Sequence, residues 1–236
     1  MADTHSLNLV AASSQYAAAN DSASLDITGN MTIEAWVKFE SFSSNTMTIV
    51  GKYHTGTSQQ SYLFYYDGTS NQLILGISST GGNVNFGIVS WTPTLGQWYH
   101  VAVVYTTGGP ADFYVDTVQQ GSQQTGLNTS IFNSTEKVGI GALGINGGVG
   151  GYFDGKIDDV RIWSTNRSQA QIAANWKQEL VGNETNLNAY WTLNNVYTDA
   201  TANANTLTPA NSPTFSTDVP VWQVVTSGVS FFMNLL

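Results

Sequence analysis

The sequence predicts an all-β protein: antiparallel sheets packed face to face, with one short α-helix. Three observations predict it. Apolar and polar residues alternate with a period of two in several short runs, as in "MTIEAWVKF" (31–39). Gly, Asn and Asp turn signals separate those runs. Charged residues are only 10 % of the 236-residue chain against 42 % apolar, so Ser, Thr, Asn, Gln and Gly must build the surface. That composition suits a turn-rich β protein and opposes long solvent-exposed helices. Sandwiches of this length commonly form one domain, so one core is expected over 1–218, followed by an apolar tail over 219–236.

In chain order, "MTIEAWVKF" places Ile33, Ala35, Val37 and Phe39 on one face. Thr32, Glu34 and Lys38 take the other, with Trp36 among them. "SYLFYYDG" and "NQLILGIS" read as a hairpin turning at Asp67-Gly68-Thr69, and "NVNFGIVSW" follows after Gly81-Gly82. "GQWYHVAVVYTTGGPADFYVDTVQQG" reads as three strands, with turns at Gly108-Gly109-Pro110 and near Asp116-Thr117. "EKVGIGAL" is another strand, and "INGGVGG" a glycine-rich turn. In "RSQAQIAANWKQELVG", Ser168 is an N-cap with Gln171 as its capping-box partner. Ile172, Trp176 and Leu180 form an apolar stripe to lie on a sheet edge, and Gly182 is placed to end the helix. The chain returns to β at "LNAYWTLNN".

Formal net charge is −9 with seven Lys plus Arg. No basic patch is available for nucleic acid or an anionic membrane. Cysteine is absent, which excludes disulfides and thiolate metal sites. No run of apolar residues is long enough to span a membrane as a helix, and "MADTHSLNLV" does not read as a signal peptide.

Five stretches carry a family resemblance: "SLDITGNMTIEAWVKFES", "GQWYHVAVVY", "ADFYVD", "GYFDGKIDDVRIWSTNRS" and "NLNAYWTLNN" with "TDATAN". In order and spacing they resemble the LamG-like (laminin G/pentraxin-like) jelly-roll family of the concanavalin A-like lectin/glucanase superfamily, over roughly residues 6 to 216. The resemblance implies a concanavalin A-like jelly roll, and "GKIDDVRIW" resembles a signature strand of that sandwich. Strict alternation would put Ile157 and Val160 on opposite faces, so a bulge is expected at Asp158-Asp159. One of those carboxylates would cap backbone or touch a cation, and the other would face solvent.

Function is weighed against the same pattern. The superfamily's glucanases carry Glu-x-Asp-x-x-Glu on one strand. Here the nearest pair, Glu34 and Glu40, has no Asp between, and Glu34 reads as an exposed strand residue. No Gly-x-Ser-x-Gly elbow occurs, and His100 reads as a packed histidine. No catalytic residue is therefore assigned, and no cofactor beyond a structural calcium. The pentraxin-type calcium loops are not matched: "IGALGINGGVGG" carries no acid, and Gln59 and Gln60 stand where an Asp-Asn pair would align. A different site would combine Asp199 and Asn203 with Asp21 or Asp158; the alternative is that Asp199 and Asn203 are turn residues using Asx geometry. Sugar recognition needs aromatic faces beside hydrogen-bonding groups. The candidates near strand ends are Tyr53, His54, Tyr62, Tyr66, Asp67, Asn83, Asn85 and Trp91, whereas Trp36, Trp98, Trp163 and Trp191 are assigned to the core.

The tail "VPVWQVVTSGVSFFMNLL" is strongly apolar. It is expected either to add a strand to its own sandwich or to dock on a protein partner or second copy through Trp222, Phe231, Phe232, Met233, Leu235 and Leu236. Together these expectations describe a non-catalytic module decorating a virion or microbial surface, with glycan or protein adhesion. A free lectin is the alternative, and a glycoside hydrolase the least favoured reading.

Overall fold

A computed structural model describes residues 3–42 and 46–221. The docking residues expected in the tail, Trp222, Phe231, Phe232, Met233, Leu235 and Leu236, lie outside the described residues. In chain order the strands are β1 (Ser6–Leu9), β2 (Tyr16–Ala19), β3 (Met31–Phe39), β4 (Met47–Lys52) and β5 (Tyr62–Asp67). They continue with β6 (Gln72–Ser78), β7 (Val84–Ser90), β8 (Trp98–Tyr105), β9 (Ala111–Val115) and β10 (Val118–Gln124). After β11 (Val138–Ile140) and β12 (Gly155–Trp163) comes α1 (Gln169–Asn175), then β13 (Leu187–Trp191), β14 (Thr208–Ala210) and β15 (Thr214–Ser216).

Two antiparallel sheets result. One has eight strands, β10-β9-β8-β3-β12-β1-β15, with β13 also paired to β12. The other has seven, β14-β2-β11-β4-β5-β6-β7. The alternation in β3 sorts its side chains as expected. Ile33, Ala35, Val37 and Phe39 enter the core between the sheets, meeting Tyr62, Phe64, Tyr66, Leu73 and Leu75 from the seven-stranded sheet. Thr32, Glu34, Trp36 and Lys38 point to the outer face of the eight-stranded sheet.

The bulge expected at Asp158-Asp159 is present. Asp158 pairs with Trp36 and Arg161 with Glu34, so Asp159 and Val160 stand opposite Ala35 alone. Asp159 takes the extra turn at φ +50. The slip restores Val160 and Ile162 to the core. It falls where the neighbour of β12 changes from β1, paired at Gly155–Ile157, to β13, paired from Val160. The expectation that one of the two carboxylates faces solvent is corrected: both are buried, Asp158 at 0 % and Asp159 at 3 % exposure.

The capping box of α1 forms. Ser168 Oγ accepts from Gln171 N–H, and Gln171 Oε1 accepts from Ser168 N–H. The helix ends sooner than expected, at Trp176 rather than Gly182. Gly182 serves another purpose: at φ +92, an added Cβ would lie 2.2 Å from the Ala200 carbonyl oxygen, so a close approach requires glycine. Nor does the helix lie on a sheet edge. It crosses the outer face of the eight-stranded sheet, where Ile172 packs on Ala102, Val104 and Tyr114. Leu180, beyond the helix, packs on Trp163, Leu187 and Tyr190.

Candidate functional site

A groove of about 450 Å³ opens on the outer face of the eight-stranded sheet, at the end of α1. That volume suits a saccharide or small-molecule ligand. Its lining includes Trp36 from β3, Gln97 and Trp98 at the start of β8, Asp116 after β9, and Trp176 and Lys177 after α1. Trp36 forms the floor. Its ring stacks on Trp176 with centroids 5.5 Å apart and planes 11° apart, and its Nε1–H donates to the Trp176 carbonyl at 3.0 Å. The outer face of Trp176 carries the Lys177 ammonium, 4.1 Å from the ring centroid, a cation–π contact.

Trp98 forms the facing wall and is half-buried. Its Nε1–H donates to Asp218 Oδ1 at 3.0 Å, while Asp218 Oδ2 takes the Lys38 ammonium at 2.6 Å. Burial works to raise the Asp218 carboxyl, but the Lys38 and Trp98 contacts outweigh it and hold it below the usual carboxylate range. Asp116 and Thr117 turn the β9–β10 hairpin with positive φ at both central positions, 47° and 69°. One Asp116 oxygen accepts the His100 backbone N–H at 2.9 Å, and the other is free to accept a hydroxyl. Burial raises the Asp116 carboxyl, with His100 and Lys177 opposing. Gly96 leaves the rim bare, at φ +74 with open space where a side chain would stand.

Beside and beneath this groove lies a buried charge network. Glu34, expected to be exposed, is at 0 % exposure. The outer face of β3 is covered by α1 and the residues flanking it, so a polar strand face here is an interior one. Glu34 lies 3.1 Å from Arg167 Nε and 3.5 Å from His100 Nε2. Burial pushes it up, but His100, Arg161 and Arg167 together hold it below the ordinary range. Arg161 pairs with Asp159 at 2.5 Å and donates to the Asn175 and Gln178 carbonyls, tying the end of α1 to the sheet. Asp158 gives one oxygen to the Asp159 N–H at 2.9 Å. Its other oxygen is buried, as is Asp3 Oδ2, and the two carboxyls share a side-chain hydrogen bond, the protonated acid of Asp158 donating to Asp3. Burial, then the charges of Asp3 and Asp159, push Asp158 well above the usual carboxylate range. Burial raises Asp3 to about 6, with Asp159 and Glu179 adding to the rise.

The residues expected to bind sugar do not form one site. Tyr53, His54, Asn83 and Asn85 lie at the end of the seven-stranded sheet where Lys52 pairs with Tyr62 and Ser78 with Val84. Tyr66, Asp67 and Trp91 lie at the other end, where Met47 pairs with Tyr66 and Gln72 with Ser90. The six residues of β5 separate the two groups by about 20 Å. Tyr62 and Tyr66 are fully buried in the core. Trp91 packs edge-on against Phe39, Tyr66 and Tyr99. Asp67 caps its own hairpin by accepting from Thr69 and Ser70. Asn85 Nδ2 donates to the Gly126 carbonyl, the Asn83 carbonyl accepts from Asn128 Nδ2, and His54 faces Glu136 at 3.5 Å.

The four expected calcium ligands likewise divide. Asp21 and Asn203 line a small polar depression of about 250 Å³, while Asp158 belongs to the network beneath α1. Asp199 spends both carboxylate oxygens on hydrogen bonds from Tyr190, Thr201 and Asn205, which is the Asx-type turn alternative. Asp21 accepts the buried Lys52 ammonium at 2.6 Å, and Asp26 contacts it as well. A lysine already supplies the positive charge there, and these residues do not fit a divalent ion as one donor set. Among the described residues no group of three or more His, Cys, Asp or Glu could hold a metal.

The sequence assigns Trp36, Trp98, Trp163 and Trp191 to the core. Trp191 joins the core between the sheets, Trp163 is buried in a second cluster with Leu187 and Tyr190, and Trp36 is buried as well while its ring forms the groove floor; half-buried Trp98, a groove wall, departs from the expectation. One signal was available, since Trp36 falls on the polar face of its alternating strand. The partnership with Trp98 and Trp176 needed the sheet register, in which Trp36 pairs with His100 and Lys38 with Trp98.

A family model described as the Concanavalin A-like lectin/glucanases superfamily (Laminin_G_3) matches residues 11–173. Among solved structures, a protein from Bacteroides ovatus ATCC 8483 to which carbohydrate binding is attributed superposes with a TM-score of 0.68 at 20 % identity, over 92 % of this chain. This chain spans 60 % of the length of that protein. A heptameric SAP-like pentraxin from Limulus polyphemus superposes with a TM-score of 0.61 at 12 % identity, over 90 % of this chain and 94 % of its own. At these identities the likeness is one of fold. No curated protein matches the chain.

Proposed function

This chain belongs to the Concanavalin A-like lectin/glucanases superfamily, and from that premise we propose that it is a non-catalytic binding module whose ligand is a carbohydrate held in the Trp36–Trp98–Trp176 groove. The observation that carries this reading is the groove itself: indole surfaces at its floor and walls, with a carboxylate, an amide and an ammonium at its rim. That is the chemistry a sugar needs, apolar ring faces against indole and hydroxyls against polar groups.

What supports the absence of catalysis is the placement of the acids. Glycoside hydrolysis takes two carboxylates about 5–9.5 Å apart across the scissile bond. Among the described residues the groove lining offers only Asp116, and Asp218 at its wall is held by Lys38 and Trp98. Glu34 lies within β3 and Glu40 just past its end, about 20 Å apart by strand rise, with Glu34 buried and Glu40 paired to Lys156. Trp98→Ala tests the reading on a glycan array and by titration calorimetry. Loss of wild-type glycan binding in a folded variant is expected. Binding unchanged by the substitution, or release of reducing sugar from the bound glycan, would contradict it.

We place the module on a larger assembly, a virion or microbial surface. The apolar composition of residues 219–236 supports this, through a docking role for that tail. Deleting 222–236 is expected to abolish particle association while the sandwich stays folded; unchanged association would refute the docking role.

A further inference from the structure

We infer that Lys177 sets the specificity of the groove, favouring a sugar that carries a carboxylate over its neutral counterpart. This rests on the groove being the ligand site. Lys177 stands in an unusual position for this chain. Three of the other lysines are committed to carboxylates: Lys38 to Asp218, Lys52 to Asp21 and Asp26, and Lys156 to Glu40. Both arginines are likewise paired, Arg161 with Asp159 and Arg167 with Glu34. Lys177 is exposed, and its ammonium rests on the ring of Trp176 at the groove mouth, where the groove acid Asp116 feels its charge without forming a salt bridge with it.

Its position has two opposite consequences for two kinds of ligand. A neutral pyranose that stacks on Trp176 must first push the ammonium off the ring, losing a cation–π contact. A uronic acid need not. Its ring packs against Trp98, its carboxylate pairs with the ammonium where that already lies, and its hydroxyls meet Gln97 and the free oxygen of Asp116. The net charge of −9 opposes an anionic ligand at long range, but that repulsion is screened within about 8 Å at physiological salt. The contact with Lys177 acts inside that distance.

The experiment compares wild type, Lys177→Met and Trp98→Ala against matched oligosaccharide pairs, such as trimers of galacturonate and galactose and of glucuronate and glucose. Affinities come from titration calorimetry, with circular dichroism as the folding control. Lys177 is solvent-exposed, so the methionine variant should fold. Wild type is expected to prefer the acidic member about fivefold at low salt, the scale of one exposed ion pair. Lys177→Met should bind the neutral member about two- to fivefold more tightly and the acidic member more weakly, so the preference reverses. A side chain that only supports the fold would move both affinities in one direction. If Lys177→Met leaves the acidic-to-neutral ratio unchanged while Trp98→Ala abolishes both, the specificity role is wrong and the groove stands. If no pair binds wild type, or Trp98→Ala changes nothing, the groove reading fails and this inference with it.

Discussion

At the scale of single residues, the outer face of β12 holds charge out of water and must compensate it. Arg161 is fully buried, its guanidinium spent on Asp159 and two carbonyls. Replacing it with methionine leaves Asp159 and Glu34 short of positive charge in the interior, at a cost of about 3–5 kcal/mol. Urea unfolding of Arg161→Met measures this, and a loss below about 1 kcal/mol would show the pair to be dispensable. Asp3 and Asp158 behave in the opposite sense. Both are raised, chiefly by burial and then by neighbouring acids, Asp3 to about 6. Their folded-state values exceed the unfolded ones, so the contribution of Asp3 to stability is full below the ordinary carboxylate range and is lost as pH rises through about 6, and that of Asp158 changes in the same direction. Between pH 5 and 8, wild type should therefore lose stability relative to Asp3→Asn, as read from melting temperatures across that range. A stability difference that does not vary with pH would contradict the shared burial of these two acids.

At the scale of elements, the strands legible in the sequence were those whose two faces differ. β3, β5, β6, β8 and β9 alternate or turn on Gly and Asp signals, and they fall where the pattern puts them. β1, β2, β4, β14 and β15 escaped notice. "YAAA" carries no alternation, and "MTIVGK" is buried at every position, so neither shows the contrast that marks a half-buried strand. The outcome for Glu34 follows from the same limit. Alternation tells which residues share a face, but not that a helix will lie across that face. Helix α1 was legible at its start, where Ser168 and Gln171 are local chemistry. Its end was not, because the stacking of Trp176 on Trp36 ends it and that partner lies 140 residues away in sequence. Ser168→Ala removes the cap and should cost about 1 kcal/mol. Because α1 positions Trp176, glycan affinity should weaken with it. Hydrogen exchange confined to residues 169–175 would locate the loss in the helix, whereas uniform exchange across the sheets would contradict that placement.

At the scale of the whole molecule, the sandwich places two different surfaces on its two outer faces. The seven-stranded sheet shows Phe86 and Ile88, 44 % and 40 % exposed, with the Phe86 ring close over Gly76. The eight-stranded sheet carries the groove beside α1. The fold class and the lack of a paired-carboxylate motif were readable before any coordinates. The site was not, because its parts come from β3, the start of β8, the β9–β10 turn and the end of α1, which only the sheet register assembles. The most direct test of the account is a glycan titration followed by the indole N–H signals of the tryptophans in a nitrogen-15 NMR spectrum. The signals of Trp98 and Trp176 are expected to shift in a saturable way, while that of core-bound Trp191 stays fixed. Saturable shifts clustered at Phe86 and Ile88, or at the Tyr53 and Asn85 end of the seven-stranded sheet, with the Trp98 and Trp176 signals unmoved, would contradict it.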